Sequence, residues 1–180
     1  MNNLRWRALL LTIFIGMTAT AGNGAPDTAL KPWKQGATPV LALKDMQGIV
    51  RTLYEFRGKV VIVNFWATWC EPCVEEMPSL QMLNERLADK EFAVIGVNMG
   101  EGEVRIKSFT DRTGTTFPIL LDRDGVAKKN WRVNGVPATF VLDATGRIRF
   151  ATTGALDFSD ERLVSQVMNL LPGKTGRKKP

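Results

Sequence analysis

Residues 59–78 read KVVIVNFWATWCEPCVEEMP. Residues 60–66 form an apolar run rich in β-branched side chains, the pattern of a strand covered on both faces of a sheet. After Cys70-Glu71-Pro72-Cys73 the apolar residues return every three or four positions, as Val74, Met77, Leu80, Leu83 and Leu87. The stretch therefore predicts a buried strand that hands two cysteines to the start of a long helix. Pro72 falls in the first turn, where a missing N–H costs nothing, and Pro78 falls inside, where a kink is expected. A cysteine at a helix N-terminus lies among unpaired N–H groups and the positive end of the helix dipole, which both favour thiolate over thiol. A reactive thiol with a second thiol three positions on is the minimum equipment for thiol–disulfide exchange.

Downstream, residues 92–99 (FAVIGVNM) read as a second buried strand. Strand, helix and strand in that order imply a right-handed crossover and parallel pairing. A helix is expected over 101–112, a short strand over 118–121, and a short helix over 125–131. Residues 138–142 and 148–152 flank a turn-forming stretch and predict an antiparallel hairpin. Ser159 is placed to cap a last helix, with Asp160 and Glu161 in its first turn and Leu163, Val164, Val167, Met168 and Leu171 on its apolar face. Upstream, residues 40–43 and 49–53 flank a turn ending at Gly48, a second hairpin signal. The expected architecture is α/β: a central mixed β-sheet flanked by helices on both faces, with an added N-terminal β-hairpin.

The chain has 180 residues and 44% hydrophobic content, enough for one domain with a sizeable core. Its net charge of +6 resides at the ends: Arg5, Arg7, Lys174, Arg177, Lys178 and Lys179 leave 18 basic against 18 acidic residues between them. A neutral body argues against a nucleic-acid partner. Residues 1–21 have a basic start, an apolar stretch over 8–17 and the small-residue site Ala19-Thr20-Ala21, the three parts of a secretory signal peptide. The apolar stretch is short of the roughly 20 residues that span a bilayer. Cleavage after Ala21 is therefore expected, with an uncleaved N-terminal anchor as the alternative. Residues 22–36, rich in Gly and Pro, read as a linker, residues 37–171 as the domain, and 172–180 as a basic flexible tail. Outside the cytosol two cysteines usually make one structural bridge. Here the bridge closes so small a loop that a working disulfide is the better reading.

Residues 64–70 (NFWATWC), Cys73 with Glu76-Met77-Pro78 after it, and residues 135–143 (GVPATFVLD) together resemble the TlpA/ResA-like family of exported thiol–disulfide oxidoreductases. The resemblance spans roughly residues 37–171 and implies a thioredoxin-like fold. It implies a cis peptide bond between Val136 and Pro137, on a loop facing the cysteine pair. It further implies that Cys70 is the nucleophile, Cys73 the resolving thiol and Glu76 an acid/base near them. Trp69, Pro72, Val136 and Pro137 would contact the substrate. Asn64 stands where thioredoxins proper carry a buried aspartate. Trp66 is expected in the core, and Trp33 and Trp131 are expected to pack.

The implied activity is reduction of disulfides in exported proteins, such as apocytochromes c, in the periplasm or anchored at the outer face of the inner membrane. Glu71, Glu75 and Glu76 would oppose the thiolate and so favour a reductant over an oxidant. Electrons would come from a membrane thiol donor, with no cofactor beyond the Cys70–Cys73 disulfide. The absence of histidine excludes haem attachment through CxxCH and leaves a four-ligand zinc site two soft ligands short. A non-catalytic Cu(I)-binding or metal-delivery module and a general dithiol oxidant are the competing readings.

Overall fold

The computed structural model describes residues 29–173, so the leader, residues 22–28 and the tail from Lys174 lie outside the described residues. In chain order come β1 (Lys31–Pro32), β2 (Ala42–Lys44), β3 (Val50–Thr52), a single 3-10 turn (Leu53–Phe56), β4 (Val60–Trp66) and α1 (Glu71–Arg86). There follow β5 (Phe92–Asn98), α2 (Glu103–Thr113), β6 (Ile119–Leu121), α3 (Val126–Asn130), β7 (Ala138–Leu142), β8 (Ile148–Thr153) and α4 (Glu161–Met168). Six strands make the main sheet in the order β1-β8-β7-β4-β5-β6, and β2-β3 form the added hairpin. β4 pairs parallel with β5 and antiparallel with β7, so the sheet is mixed, as expected.

Every residue of β4 is buried, and strand alternation sorts them between two cores. Val60, Ile62 and Trp66 join Met77, Leu80 and Leu83 of α1, Ile106 and Phe109 of α2, and Leu163, Val164 and Val167 of α4. Val61, Val63 and Phe65 join Ala127 of α3, Trp131, Phe140 and, from below the hairpin, Leu41. The polar exception, Asn64, falls by the same alternation on the α1 face. Among the described residues no helix is long and apolar enough to cross a membrane.

Three local expectations need correction. The segment read as a linker through residue 36 is part of the fold from residue 29 on. Leu30 is buried, β1 pairs with β8, and Trp33 packs edge-on against Phe140 with ring centroids 5.8 Å apart. A two-residue edge strand containing proline shows no alternation, and an edge is where proline is tolerated. Asp160, rather than Ser159, caps α4: its carboxylate accepts the Arg162 N–H at 2.9 Å and also holds the Arg162 guanidinium. Met168 points outward, 41% exposed, because the apolar stripe of α4 narrows to Leu163, Val164 and Val167.

Candidate active site

β4 ends at Trp66, whose ring is fully buried. Ala67 to Cys70 then turn the chain through a bond from Cys70 N–H to the Ala67 carbonyl at 3.3 Å, and α1 begins. Cys70 is the N-cap of that helix: its backbone is extended and its Sγ accepts the Cys73 N–H at 3.3 Å. The Cys73 N–H is shared between this N-cap sulfur and the Cys70 carbonyl, which it meets at 3.0 Å. The Cys70 and Cys73 sulfurs are bonded, with Cα atoms 5.2 Å apart. Cys73, one turn in, is 1% exposed and Cys70 6%. Trp69 projects at the lip of the site, 63% exposed, and Pro72 is exposed beside it.

The Val136–Pro137 bond is cis. Val136 is half-buried and packs against the core cluster that contains both cysteines. Pro137 is buried, and its carbonyl accepts the Gly154 N–H at 2.9 Å. The backbone polar groups of Val136 have no partner among the described residues.

Glu76, two turns into α1, is 2% exposed beneath the sheet. Its carboxyl accepts from Asn64 Nδ2 and from Thr139 Oγ1, both at 3.3 Å, and from the Leu156 N–H. Asn64 Nδ2 also donates to Thr139 Oγ1 at 3.0 Å, closing a triangle of three buried side chains. Burial pushes the Glu76 carboxyl up to about 8, against the lowering effect of those hydrogen bonds. At neutral pH it is therefore mostly uncharged. The expectation of three glutamates opposing the thiolate reduces to two, Glu71 and Glu75, which are exposed. A cavity of about 280 Å³ lies over Glu76, lined by Glu75, Ser79, Leu156 and Asp157.

Thr139 was not singled out by the sequence; the one polar residue in the run ATFVL, aligned in register with Asn64 across the β4–β7 pair, is the signal that identifies it. Among the described residues no group of three His, Cys, Asp or Glu side chains is arranged to hold a metal ion. The site as built offers two sulfurs that interconvert between dithiol and disulfide, a donor set at a helix start, and a buried carboxyl titrating near the ordinary range of a thiol.

The sequence matches the AhpC/TSA family over residues 22–151. It is 35% identical over 153 residues to the thiol-disulfide oxidoreductase ResA of Geobacillus thermodenitrificans, covering 84% of this chain and 86% of that protein. With the thioredoxin-like protein YneN of Bacillus subtilis it shares 38% identity over 121 residues, 66% of this chain and 70% of that protein. Among solved structures, a thioredoxin-family thiol:disulfide interchange protein of Chlorobium tepidum superposes with a TM-score of 0.64 at 25% identity, covering 79% of this chain and 99% of that one. A cysteine pair at the start of α1, a cis-proline immediately before β7, and relatedness over most of the chain agree: the protein belongs to the AhpC/TSA family and, within it, is a ResA-like thiol–disulfide oxidoreductase of thioredoxin fold.

Proposed function

We propose that this oxidoreductase acts outside the cytosol, in the periplasm, as a reductant of disulfides in exported proteins, apocytochromes c among them. The observation that carries the exchange chemistry is Cys70 at the N-cap of α1 with its sulfur joined to Cys73. In the reduced enzyme the Cys70 thiolate attacks one sulfur of the partner's disulfide. A mixed disulfide forms and the other partner sulfur leaves with the electron pair. Cys73 then attacks Cys70 Sγ, the second partner sulfur departs, and the Cys70–Cys73 bond closes. Two electrons and two protons have passed to the partner, and a membrane thiol donor must supply them again.

Glu76 supports the proton side of this cycle. It sits one helical turn beyond Cys73, and a carboxyl titrating at about 8 is matched to a thiol, so its ionised fraction, the minor form at neutral pH and the major one above pH 8, can take the Cys73 proton during resolution. Trp69 and Pro72 offer the exposed contact surface. The free N–H and C=O of Val136 provide strand-like pairing for an extended substrate, since the Pro137 carbonyl is already engaged by Gly154. The leader, with its Ala19-Thr20-Ala21 site, supports export, and an N-terminus retained as an anchor would hold the enzyme at the outer face of the inner membrane.

Replacing the two cysteines separately tests the roles. Cys70→Ser is expected to abolish reduction of a disulfide-bonded peptide, whereas Cys73→Ser is expected to accumulate a mixed disulfide seen by mass on a non-reducing gel. Unimpaired turnover by Cys70→Ser would eliminate the exchange mechanism, and tight stoichiometric Cu(I) binding without turnover would favour metal delivery.

A further inference from the structure

The loop that presents Cys70 is held from outside α1. The last backbone rung between β4 and β5 runs from the Met99 N–H to the Trp66 carbonyl, at 3.0 Å. Past that rung the two chains diverge, one to the cysteines and the other to α2. A side chain bridges the gap: Glu101 Oε2 accepts the Thr68 N–H at 2.7 Å, and Glu101 Oε1 accepts the Thr68 hydroxyl. Glu101 is itself fixed by Asn98, the fully buried last residue of β5. Asn98 Nδ2 donates to Glu101 Oε2 at 2.8 Å and Asn98 Oδ1 accepts the Glu101 N–H at 3.1 Å. The Glu101 side chain is only 7% exposed, and among the described residues the cation that reaches it is Arg105, 4.0 Å away.

We propose that Glu101 is a positioning residue for the exchange reaction: its carboxylate clamps Thr68 and thereby holds the Trp69–Cys70 segment so that the Cys70 sulfur stays at the N-cap of α1. Two donors on one residue, both received by one carboxylate, fix a backbone orientation and not merely a contact, and hydrogen bonds to a charged acceptor are the strong ones. Thr68 is two residues before the sulfur. A shift there changes the direction in which the chain enters the helix, and the Cys73 N–H then no longer points at the Cys70 sulfur. The inference rests on the assignment of Cys70 as the attacking thiol.

The clamp and the charge of Glu101 act on the Cys70 thiolate with opposite signs, which makes them separable. As a bare negative charge Glu101 disfavours the thiolate, so removing it would lower the Cys70 titration point. As a clamp it preserves thiolate stabilisation by the helix start, so releasing it raises that point. Among the described residues, the other charged groups facing the pair and its loop are Glu71 and Glu75 on α1, Glu76 beneath it, Asp157 across the small cavity, and Glu103, Arg105, Arg112 and Arg123, which line a cleft with Thr68. The loop 134–137 brings none.

Glu101→Gln removes the charge and keeps the clamp, because its amide oxygen can accept from Thr68 N–H and Asn98 while its Nε2 donates to the Thr68 hydroxyl oxygen. Glu101→Asp keeps the charge and shortens the reach; Glu101→Ala removes both. The thiolate absorbance of the reduced protein, followed against pH, gives the Cys70 titration point. It is expected to rise by about one unit in Glu101→Ala and Glu101→Asp, with an about tenfold fall in the rate of attack on a small disulfide at neutral pH. In Glu101→Gln it is expected to stay at the wild-type value or fall. Should Glu101→Ala not fold, Glu101→Asp and Glu101→Gln still divide the outcomes. A downward shift shared by Glu101→Ala and Glu101→Gln would reduce Glu101 to a charge and overturn the clamp. An unchanged titration in folded Glu101→Asp would do the same. This titration reads the clamp without any protein substrate, so failure of the wild type to reduce disulfides would strike the exchange assignment alone.

Discussion

Glu76 is the residue on which the site's proton chemistry turns, and its environment makes a thermodynamic statement as well as a catalytic one. Its carboxyl is raised from 4.5 to about 8 chiefly by burial, so the folded protein holds this proton more tightly than the unfolded chain does. The associated stabilisation is complete below pH 4.5 and is lost as pH rises through about 8, where the carboxylate must ionise in the core. Glu76→Gln keeps the shape and the uncharged state. In the oxidised protein, where the cysteines do not titrate, the variant is expected to match the wild type in urea unfolding at about pH 4 and to exceed it at about pH 9 by on the order of 4 kcal/mol. Equal stabilities at the higher pH would mean that Glu76 is ionised in the fold at no cost. The same substitution is expected to slow the resolving step, because Gln can no longer take the Cys73 proton.

At the level of elements, the stretch from β4 into α1 was legible because its signals are local. A two-faced apolar run, a helical period and a proline in the first turn each state one thing about their own segment. The contacts that finish the site are between segments, and sequence proximity does not reveal them. Thr139 and Glu76 are 63 residues apart, and Glu101 and Thr68 are 33 apart. β1 escaped because two residues carry no period, and its place depends on β8 being there to pair with. Close packing between elements is similarly invisible until they meet. At Gly96 in β5, a Cβ would lie 2.7 Å from Ile119 Cδ1, 3.0 Å from Trp66 Nε1 and 3.2 Å from a Phe117 ring carbon. Trp66 Nε1 is buried and has no hydrogen-bond partner among the described residues, so the indole has no polar anchor to move toward. Gly96→Ala is expected to destabilise the fold by about 1–3 kcal/mol through overpacking, read as a lower urea midpoint at unchanged slope.

For the molecule as a whole, the direction of electron flow depends on how far the fold favours the dithiol over the disulfide. The helix start and the Cys73 N–H stabilise a Cys70 thiolate and so favour reduction of the pair. Exposed Glu71 and Glu75 oppose that thiolate, while Glu76, uncharged at neutral pH, adds nothing to either side. Strong oxidants of this fold owe their power to a very stable thiolate, whereas the described cations that line the cleft with Thr68 are engaged elsewhere: Arg105 faces Glu101, Arg123 pairs with Glu103 and Arg112 lies over the Phe109 ring. The reduction potential is accordingly expected nearer the thioredoxin end of the scale, about −270 mV, than the DsbA end, about −120 mV. Equilibration with a thiol–disulfide buffer of known potential measures it. Trapping the thiols in living cells should find Cys70 and Cys73 largely reduced when the membrane donor is present and oxidised when it is removed. A potential at the oxidising end, or a pair that is oxidised in cells whatever the donor, would make this enzyme a supplier of disulfides instead of a remover.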